Sequence, residues 1–350
     1  MHKWCKALLV LLLIAVAPGF AAAKADQKVT ITNGGDALQY FPIYIARGGG
    51  FFAKEGIDVD WVNVNSGSRQ AASVMGGSAD FSALALLHVI KVAAQNGNAA
   101  GGDLVAIANV FNVYGMTLVL SNDAVAKSGI KPGMSIDEKV RRLHGLRIGI
   151  SSPGSSTDAF VRSLFLTRGL KPDSEVKLQP FGTGAAIYAA FENKLTDGFA
   201  YPAPIPETAA AAGLGQVIID PFTGEVPELN GVPYVVLATS RETLSSKPAV
   251  VAAVMRGLTN AVNFIAQHPD QAKKMMRQYF PDIDAKVFDL AVSNYIKGSP
   301  QSLLITPDQI NKAVTWMNAG EEKKINVNYN SVVAAQPAQQ AAAAAAVVKQ

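Results

Sequence analysis

The stretch LRIGISSPGSSTDAFVRSLFLTRGL, residues 146–170, sets the pattern on which the fold prediction depends. Arg147 to Ile150 predicts a short buried strand, and a turn of serines then leads into a helix that ends at Gly169. Such a strand, small-residue turn and helix direct unpaired backbone N–H groups at one point, where an anion or a polar head group can bind. Serines are also common helix caps, so this stretch alone leaves both interpretations open.

The same succession of elements occurs twice along the chain. One series begins near Val29 and the other at Leu146, and each contains a second strand, a Gly/Ser turn and a lone aspartate before a short strand, Asp80 and Asp197. This alternation predicts an α/β fold with two lobes, each a mostly parallel sheet flanked by helices. Both aspartates are interpreted as structural turn or cap residues.

Two extended segments, residues 116–120 and 234–238, are predicted to connect the lobes as a two-strand hinge, and ligand sites favour the cleft between such domains. The end of the chain is rich in alanine and glutamine without an amphipathic period, which predicts disorder, with a transient helix over residues 341–346 as the alternative. The predicted division is residues 28–116 and 240–330 for lobe 1, 117–239 for lobe 2 with the crossover strands, and 331–350 for the disordered Ala-rich tail.

The first 23 residues have the layout of a cleavable signal peptide, with Lys3 and Lys6 before an apolar run and small residues up to Ala23. The one cysteine, Cys5, lies in this segment, so the exported chain needs no disulfide, which fits a bacterial periplasm. The full chain has 31 basic and 27 acidic residues, a net charge of +4. Removal of Lys3 and Lys6 with the signal peptide leaves 29 basic residues against 27 acidic ones, a net charge of +2. No basic stripe interleaved with aromatic residues is present, which argues against a nucleic-acid partner.

Three turns of hydroxyl residues and glycine, at residues 66–68, 152–157 and 183–184, each follow a predicted strand and open a predicted helix. Ligands of open α/β sheets bind at such carboxyl-end turns. The N–H and hydroxyl donors there suit an anion or a neutral polar molecule, and a nearby amide and two tyrosines add to a half-polar pocket. The candidate ligand-binding residues are Gln39, Tyr40, Ser66, Gly67, Ser68, Ser152, Gly154, Ser155, Ser156, Thr157, Thr183 and Tyr201.

Other side chains are given no role in this chemistry. Arg69 follows the first turn, but a first-turn arginine is expected to face solvent. His88, His144 and His268 are far apart in the sequence and lack metal-ligand spacing. The serines form no G-x-S-x-G elbow. We therefore predict no catalytic residue, no metal and no cofactor.

Four segments in order carry a resemblance to a known family: residues 40–45 with GFFAKEGIDV at 50–59, GSADFS at 77–82, LHGLRIGISSPGSS at 143–156, and DGFAYPAP at 197–204. With them, over residues 28–330, the chain resembles the periplasmic substrate-binding proteins of nitrate, sulfonate, taurine and thiamine-pyrimidine importers of the ATP-binding-cassette (ABC) type. The resemblance implies a two-lobed type II fold that closes on a ligand. It also implies ligand contacts in loops matching residues 35–40, 66–68, 82–84, 152–157 and 183, which adds Ser82 to the candidates.

The resemblance implies a non-catalytic, monomeric protein that presents a small-molecule ligand to an ABC permease in the inner membrane. Several sulfonate binders of the family carry tryptophan where this chain has Pro202, which argues against an aliphatic sulfonate. Nitrate, taurine, aromatic sulfonates or carboxylates, and pyrimidines stay open as ligands. The alternatives are an enzyme on the same fold, desulfinase-like or pyrimidine-forming, and a ligand sensor for a membrane receptor. Those enzymes rely on reactive side chains including cysteine or histidine, and this chain has no cysteine after Cys5.

Overall fold

Two five-stranded sheets form the centre of the molecule. The computed structural model describes residues 27–96, 103–319 and 324–347, so the predicted signal peptide lies outside the described residues. The first sheet contains β1 (Gln27–Asn33), β2 (Ile57–Asn63), β3 (Phe81–Ala85), β4 (Leu104–Phe111) and β10 (Val235–Ser240), in the order β2-β1-β3-β10-β4. The second contains β5 (Thr117–Ser121), β6 (Arg147–Ile150), β7 (Lys177–Pro180), β8 (Gly198–Tyr201) and β9 (Gly215–Ile219), in the order β7-β6-β8-β5-β9.

The two sheets share one topology, and each is mixed rather than wholly parallel. β1 is parallel to β2 and β3, as β6 is to β7 and β8. The reversed strand of each sheet is the one that follows a crossing of the chain. β10 runs antiparallel to β3 and β4, and β5 runs antiparallel to β8 and β9. The predicted two-lobed α/β fold is confirmed.

Helices cover both sheets. Those that follow the strands of the first lobe are α1 (Phe41–Gly48), α2 (Gly67–Met75) and α3 (Leu86–Gln95). Those of the second lobe are α4 (Asn122–Ser128), α5 (Ile136–Arg141), α6 (Ser156–Leu166), α7 (Pro172–Glu175), α8 (Gly184–Glu192) and α9 (Ile205–Ala211). The chain ends in α10 (Arg241–Ser246), α11 (Pro248–Gln267), α12 (Pro269–Arg277), α13 (Ala285–Gly298), α14 (Pro307–Asn318), α15 (Tyr329–Val332) and α16 (Gln336–Val347).

Among the described residues, α11 is the one helix long and apolar enough to cross a membrane. Half of its most apolar window is buried, and it packs on α1, α12 and α16. A helix in the core of a folded domain has these properties, because its apolar face is covered by its neighbours.

The chain crosses between the sheets through residues 112–116 and 220–234. Tyr295 of α13 holds this region together, since its hydroxyl accepts the Ala203 N–H (3.1 Å) and donates to the Gly115 carbonyl (3.0 Å). The prediction placed residues up to 239 in the second lobe. That range included the second crossover strand, and in the structure Val235–Ser240 is the strand β10, whose backbone pairs with β3 and β4 of the first sheet.

The C-terminal segment departs from the predicted disorder of residues 331–350. The Ala334 N–H donates to the Ala106 carbonyl (2.9 Å), so the chain continues along the edge of β4 before α16 begins. α16 then packs on α11 with Ala338 and Ala341 buried. Alanine has the highest helix propensity, and its small side chain permits close packing without an amphipathic pattern of large residues. The helix considered as the alternative, over residues 341–346, lies within α16.

Candidate functional site

A cavity of about 520 Å³, counting the part open to solvent, lies between the two lobes. It is formed at the carboxyl ends of strands from both sheets: Gly34 follows β1, Ser66 follows β2 and Ser151 follows β6, while Ala85 and Tyr201 end β3 and β8. The residues around it are Gly34, Gln39, Tyr40, Asn65, Ser66, Gly67, Gln70, Ala85, His88, Met116, Ser151, Ser152, Ser155, Ser156, Thr157, Tyr201, Pro202 and Tyr234.

Nine of the thirteen predicted ligand-binding residues surround this single cavity. They come from both lobes, as expected for a site that closes around a ligand. Their contact with a ligand stays a prediction. The nine are Gln39, Tyr40, Ser66, Gly67, Ser152, Ser155, Ser156, Thr157 and Tyr201.

Two further predicted residues serve the protein framework instead. Ser82 is fully buried, where its hydroxyl accepts a hydrogen bond from Gln70 Nε2 (3.1 Å) and donates to the Thr32 carbonyl (3.2 Å). Thr183 caps α8, since its hydroxyl accepts the Ala186 N–H (3.3 Å). Neither residue lines the cavity.

The last two predicted residues face elsewhere. Ser68 is exposed in the first turn of α2, beside Arg69, which is also exposed and lies outside the cavity wall. Gly154 sits on the far side of its loop and lines a different cavity. Neighbouring turn residues point in different directions, so a contiguous motif does not place every member in one site.

The serine turn after β6 is held by its own hydroxyl groups. The Ser155 hydroxyl caps α6 by accepting the Asp158 N–H (3.3 Å) and also accepts the Ser152 N–H (3.4 Å). It lies 2.8 Å from the Thr157 hydroxyl, which accepts the Ser151 N–H (2.8 Å). These bonds fix the turn, while the first N–H groups of α6 have no partner within the helix and open on the cavity.

Three tyrosines contribute hydroxyl groups to the cavity wall. Burial raises the pKa of Tyr201 to about 12, and it also raises the pKa of Tyr40 and Tyr234, so all three hydroxyls are protonated at neutral pH. The Tyr40 hydroxyl accepts the Gly34 N–H (3.1 Å). A Cβ atom at Gly184 would lie 2.6 Å from the ring of Tyr201, so glycine there leaves room for this wall.

His88 of α3 lies beneath the first turn of α2. Burial lowers its pKa to about 4, so the imidazole is neutral at pH 7. A Cβ atom at Gly67 would lie 2.0 Å from His88 Nε2, so a side chain at this position would displace the imidazole. This role could not be predicted from the sequence, because the two residues are brought together only by the packing of α3 against α2.

The cavity also contains an unsatisfied acceptor. Gln39 Oε1 is buried and has no hydrogen-bond partner in the part of the chain that the structure describes. Buried polar atoms are normally paired, so this oxygen is available to a donor group of a ligand or to a water molecule.

The wall of the cavity, as far as the described residues form it, has no charged side chain once His88 is neutral. Within those residues no group of three or more His, Cys, Asp or Glu could hold a metal ion. The positive potential comes instead from the N-termini of α2 and α6, whose first residues Gly67 and Ser156 both line the cavity. The arrangement can bind a small polar group by neutral donors and helix dipoles.

Several residues that line the cavity were not predicted as ligand-binding, although they lie next to predicted residues in the sequence. Gly34, Asn65, Ser151 and Pro202 are within a few positions of the predicted turns, and a wider window would have included them. Met116 and Tyr234 lie at the crossings between lobes, which a two-strand hinge must place beside the cleft. Gln70 and Ala85 carried no such signal.

Two lobes joined by two crossings, with a polar cavity between them, define the fold of a periplasmic binding protein. The model of the NMT1-like family matches residues 26–278, and the chain belongs to this family. The family resemblance predicted from the sequence is therefore confirmed. No curated protein matches the chain in sequence.

Solved structures share this fold at low sequence identity. A Bordetella bronchiseptica RB50 protein has a TM-score of 0.78 and 23% identity, covering 91% of this chain and 98% of its own. The alkanesulfonate-binding protein SsuA from Xanthomonas axonopodis pv. citri, bound to MOPS, has a TM-score of 0.63 and 16% identity, covering 87% and 97%. The periplasmic nitrate-binding protein NrtA from Synechocystis PCC 6803 has a TM-score of 0.64 and 14% identity, covering 91% and 88%.

Proposed function

We propose that this protein is the periplasmic solute-binding component of an ABC importer, and that it captures a small organic or inorganic anion by closure of its two lobes. The observation that carries the proposal is the uncharged polar cavity lined from both lobes, which the N-termini of α2 and α6 adjoin. A ligand in contact with both lobes favours the closed arrangement by its differential affinity for it. The likeness in fold to nitrate- and alkanesulfonate-binding proteins supports the same function.

An anion suits this cavity because two helix N-termini and several hydroxyl groups along its wall can donate hydrogen bonds to it. Helix N-termini offer backbone N–H groups and a partial positive charge, and the serine, threonine and tyrosine hydroxyls can all donate. Since the described wall residues include no lysine or arginine, the anion is held without a salt bridge. The proposed ligands are nitrate, taurine or another sulfonate, and an aromatic carboxylate.

The protein acts in this proposal as a monomer without a catalytic step. Exported by its signal peptide, it carries the ligand through the periplasm to a permease in the inner membrane. Cys5 is the one cysteine of the chain and lies in the predicted signal peptide, so the mature protein has no thiol for chemistry of the desulfinase type.

Calorimetric and thermal titrations with nitrate, taurine, ethanesulfonate and benzoate test the ligand class. We expect one of them to bind saturably and to raise the free energy of unfolding by about 2.7 kcal/mol at 100 times its Kd. Small-angle scattering should show a smaller radius of gyration in the same solution. Absence of binding by the whole panel would contradict the anion proposal, and conversion of the bound solute on long incubation would contradict the non-catalytic one.

A matched pair of serine variants locates the binding. Ser156→Ala removes a hydroxyl at the cavity, and we expect the affinity for the identified anion to fall about tenfold. Ser68→Ala removes an equally small hydroxyl from the exposed side of α2 and should leave the affinity unchanged. Equal effects of the two substitutions would place the ligand elsewhere.

Uptake of the radiolabelled anion by the native organism separates transport from sensing. Deletion of the gene should abolish uptake at low ligand concentration if the protein feeds a permease. Unchanged uptake together with a lost transcriptional response would favour a sensor.

A further inference from the structure

A second cavity of about 600 Å³, counting the part open to solvent, lies beside the serine turn and away from the first cavity. Leu87 and Lys91 of α3 form one side, Ala159 and Leu166 of α6 form another, and α14 closes it. Because α3 packs on the first sheet and α6 on the second, this cavity also lies between the lobes.

Of the two cationic side chains that line this cavity, Arg162 has carboxylate partners and Lys91 has none among the described residues. Asp158 is neutralised by Arg162, whose Nε lies 2.9 Å from Asp158 Oδ1, and Arg162 Nη1 also contacts the exposed Asp173 (2.9 Å). Lys91, in contrast, forms no ion pair with any residue that the structure describes. An anionic group entering the cavity would meet the ammonium group of Lys91 beside apolar side chains.

Trp316 of α14 lines the same cavity and carries an unpaired donor. Its side chain is 4% exposed, and its indole N–H has no hydrogen-bond partner among the described residues. Tryptophan N–H groups usually find a partner when buried. Leu87, Leu166 and Met317 supply apolar surface around the same space. A ligand with an apolar body and one acceptor end would satisfy both features.

The second cavity is connected to the first through ordered contacts. The Trp316 ring packs on the Tyr114 ring with centroids 4.9 Å apart, and the Tyr114 hydroxyl donates to the Ser156 carbonyl (3.3 Å). On the other side, the Gly154 N–H donates to Asp158 Oδ2 (2.8 Å). The serine turn therefore separates two spaces, each facing one side of it.

We propose that this second cavity is a separate binding site for an organic monoanion with an apolar body, held by Lys91 and the Trp316 N–H. The apolar part packs against α3, α6 and α14, and the anionic end lies at the lysine. This site differs in chemistry from the first cavity, which is lined by neutral polar groups. Its existence does not depend on which solute the first cavity binds.

Fluorescence of Trp316 tests the proposal directly. The chain contains Trp4, Trp61 and Trp316, so the variant W4F/W61F leaves Trp316 as its one tryptophan. We expect 4-phenylbutyrate to change this emission saturably at millimolar concentration or below. The uncharged 4-phenylbutan-1-ol, of similar shape, should bind at least about tenfold more weakly, because it cannot use the lysine charge.

Substitutions in the same background define the contacts. Lys91→Met should lower the affinity for 4-phenylbutyrate about tenfold. Lys54→Met, at an exposed lysine outside both cavities, should leave this affinity unchanged. Ala159→Phe should block the probe by filling the space, with an unchanged melting transition to show that the variant is folded. Ser156→Ala at the first cavity should leave the probe affinity as it was.

The opposite results would overturn the second site. They are the absence of a saturable change, equal affinity for the acid and the alcohol, or equal effects of the Lys91 and Lys54 substitutions. Loss of probe binding in Ser156→Ala alone would assign the probe to the first cavity. None of these outcomes alters the nitrate titration, which tests the first cavity with an anion that has no apolar body.

Discussion

The two lobes have the same strand order and the same internal brace, yet they present different surfaces to the cleft. In the first lobe Asp80 Oδ2 accepts the Thr30 N–H of β1 (2.9 Å), and in the second Asp197 Oδ2 accepts the Arg147 N–H of β6 (2.8 Å). Each pair is separated by 50 residues. The framework of the fold is thus duplicated in detail, while the residues that face the cavity are not.

The turns after the outer strands β2 and β7 show the difference most clearly. The Thr183 hydroxyl caps the N-terminus of α8, whereas Ser66 precedes α2 and its side chain makes no capping hydrogen bond. Ser66 lines the cavity and Thr183 does not. The N-terminus of α8 is capped by a residue outside the cavity wall, whereas that of α2 has no side-chain cap, lies beside the cavity and keeps its first N–H groups available to a ligand.

A second contrast concerns buried titratable groups at equivalent places. The third residue of α3 is His88, and the third residue of α9, which likewise follows the third strand of its sheet, is Glu207. Burial lowers the pKa of His88 to about 4 and raises that of Glu207 to about 7. One lobe therefore carries a buried base and the other a buried acid at this position. Burial favours the neutral form of each group.

Opposite pH dependences of stability give the largest expected effect. Between pH 6.5 and about 4 the unfolded chain protonates His88 while the folded chain does not, so stability falls with falling pH. Between pH 4.5 and about 7 the folded chain keeps the Glu207 proton that the unfolded chain releases, so stability falls with rising pH. Each contribution is of the order of 3 kcal/mol across its window.

Urea unfolding of His88→Gln and Glu207→Gln at a series of pH values measures both contributions against the wild type. The histidine variant should gain relative stability as the pH falls below 6.5, and the glutamate variant as it rises above 4.5. Relative stabilities that change in the same direction would show that burial does not control these groups as described.

A substitution at Gly198 should have the next largest effect. This residue occupies in β8 the position that Phe81 has in β3, since each follows the bracing aspartate. A Cβ atom at Gly198 would lie 2.4 Å from the Val119 carbonyl oxygen of β5. We expect Gly198→Ala to lower the free energy of unfolding by about 2 kcal/mol in urea titrations, because the backbone of β5 must move.

Gly76→Ala is the control for this substitution in the first lobe. It adds the same methyl group at the end of α2, where the nearest atom is the Ala72 carbonyl oxygen at 3.1 Å. Its effect should be within about 0.5 kcal/mol. If Gly198→Ala lowered the free energy of unfolding no more than Gly76→Ala, the backbone of the second sheet would accommodate the added methyl group as readily as a surface turn does.

The fold was largely predictable because its elements have clear local signals. Proline suits the first turn of a helix, and α11 begins at Pro248. The boundary between β3 and α3 is harder to predict, because the apolar residues 83–87 continue from the strand into the helix without a break. A continuous apolar run does not distinguish a buried strand from a buried helix.

The candidate site was predictable as a set of turns but not residue by residue. A hydroxyl residue before a helix has the same local sequence whether it caps the helix, as Thr183 does, or faces a cavity, as Ser66 does. The choice depends on side-chain rotamers and on packing across the lobes. The place of His88 in the cavity wall could not be predicted for a similar reason. Its position under Gly67 depends on the packing of α3 against α2.

Removing one hydroxyl from each of the two turns should produce effects of similar size on different properties. Thr183→Ala should lower the free energy of unfolding by about 1 kcal/mol, since it removes a helix cap, and should leave anion affinity unchanged. Ser66→Ala should alter stability by no more than about 0.5 kcal/mol while reducing affinity about tenfold. Urea unfolding and calorimetric titration of the two variants measure both properties. If Thr183→Ala lowered the affinity for the anion and Ser66→Ala lowered the free energy of unfolding, the roles assigned to the two turns would have to be exchanged.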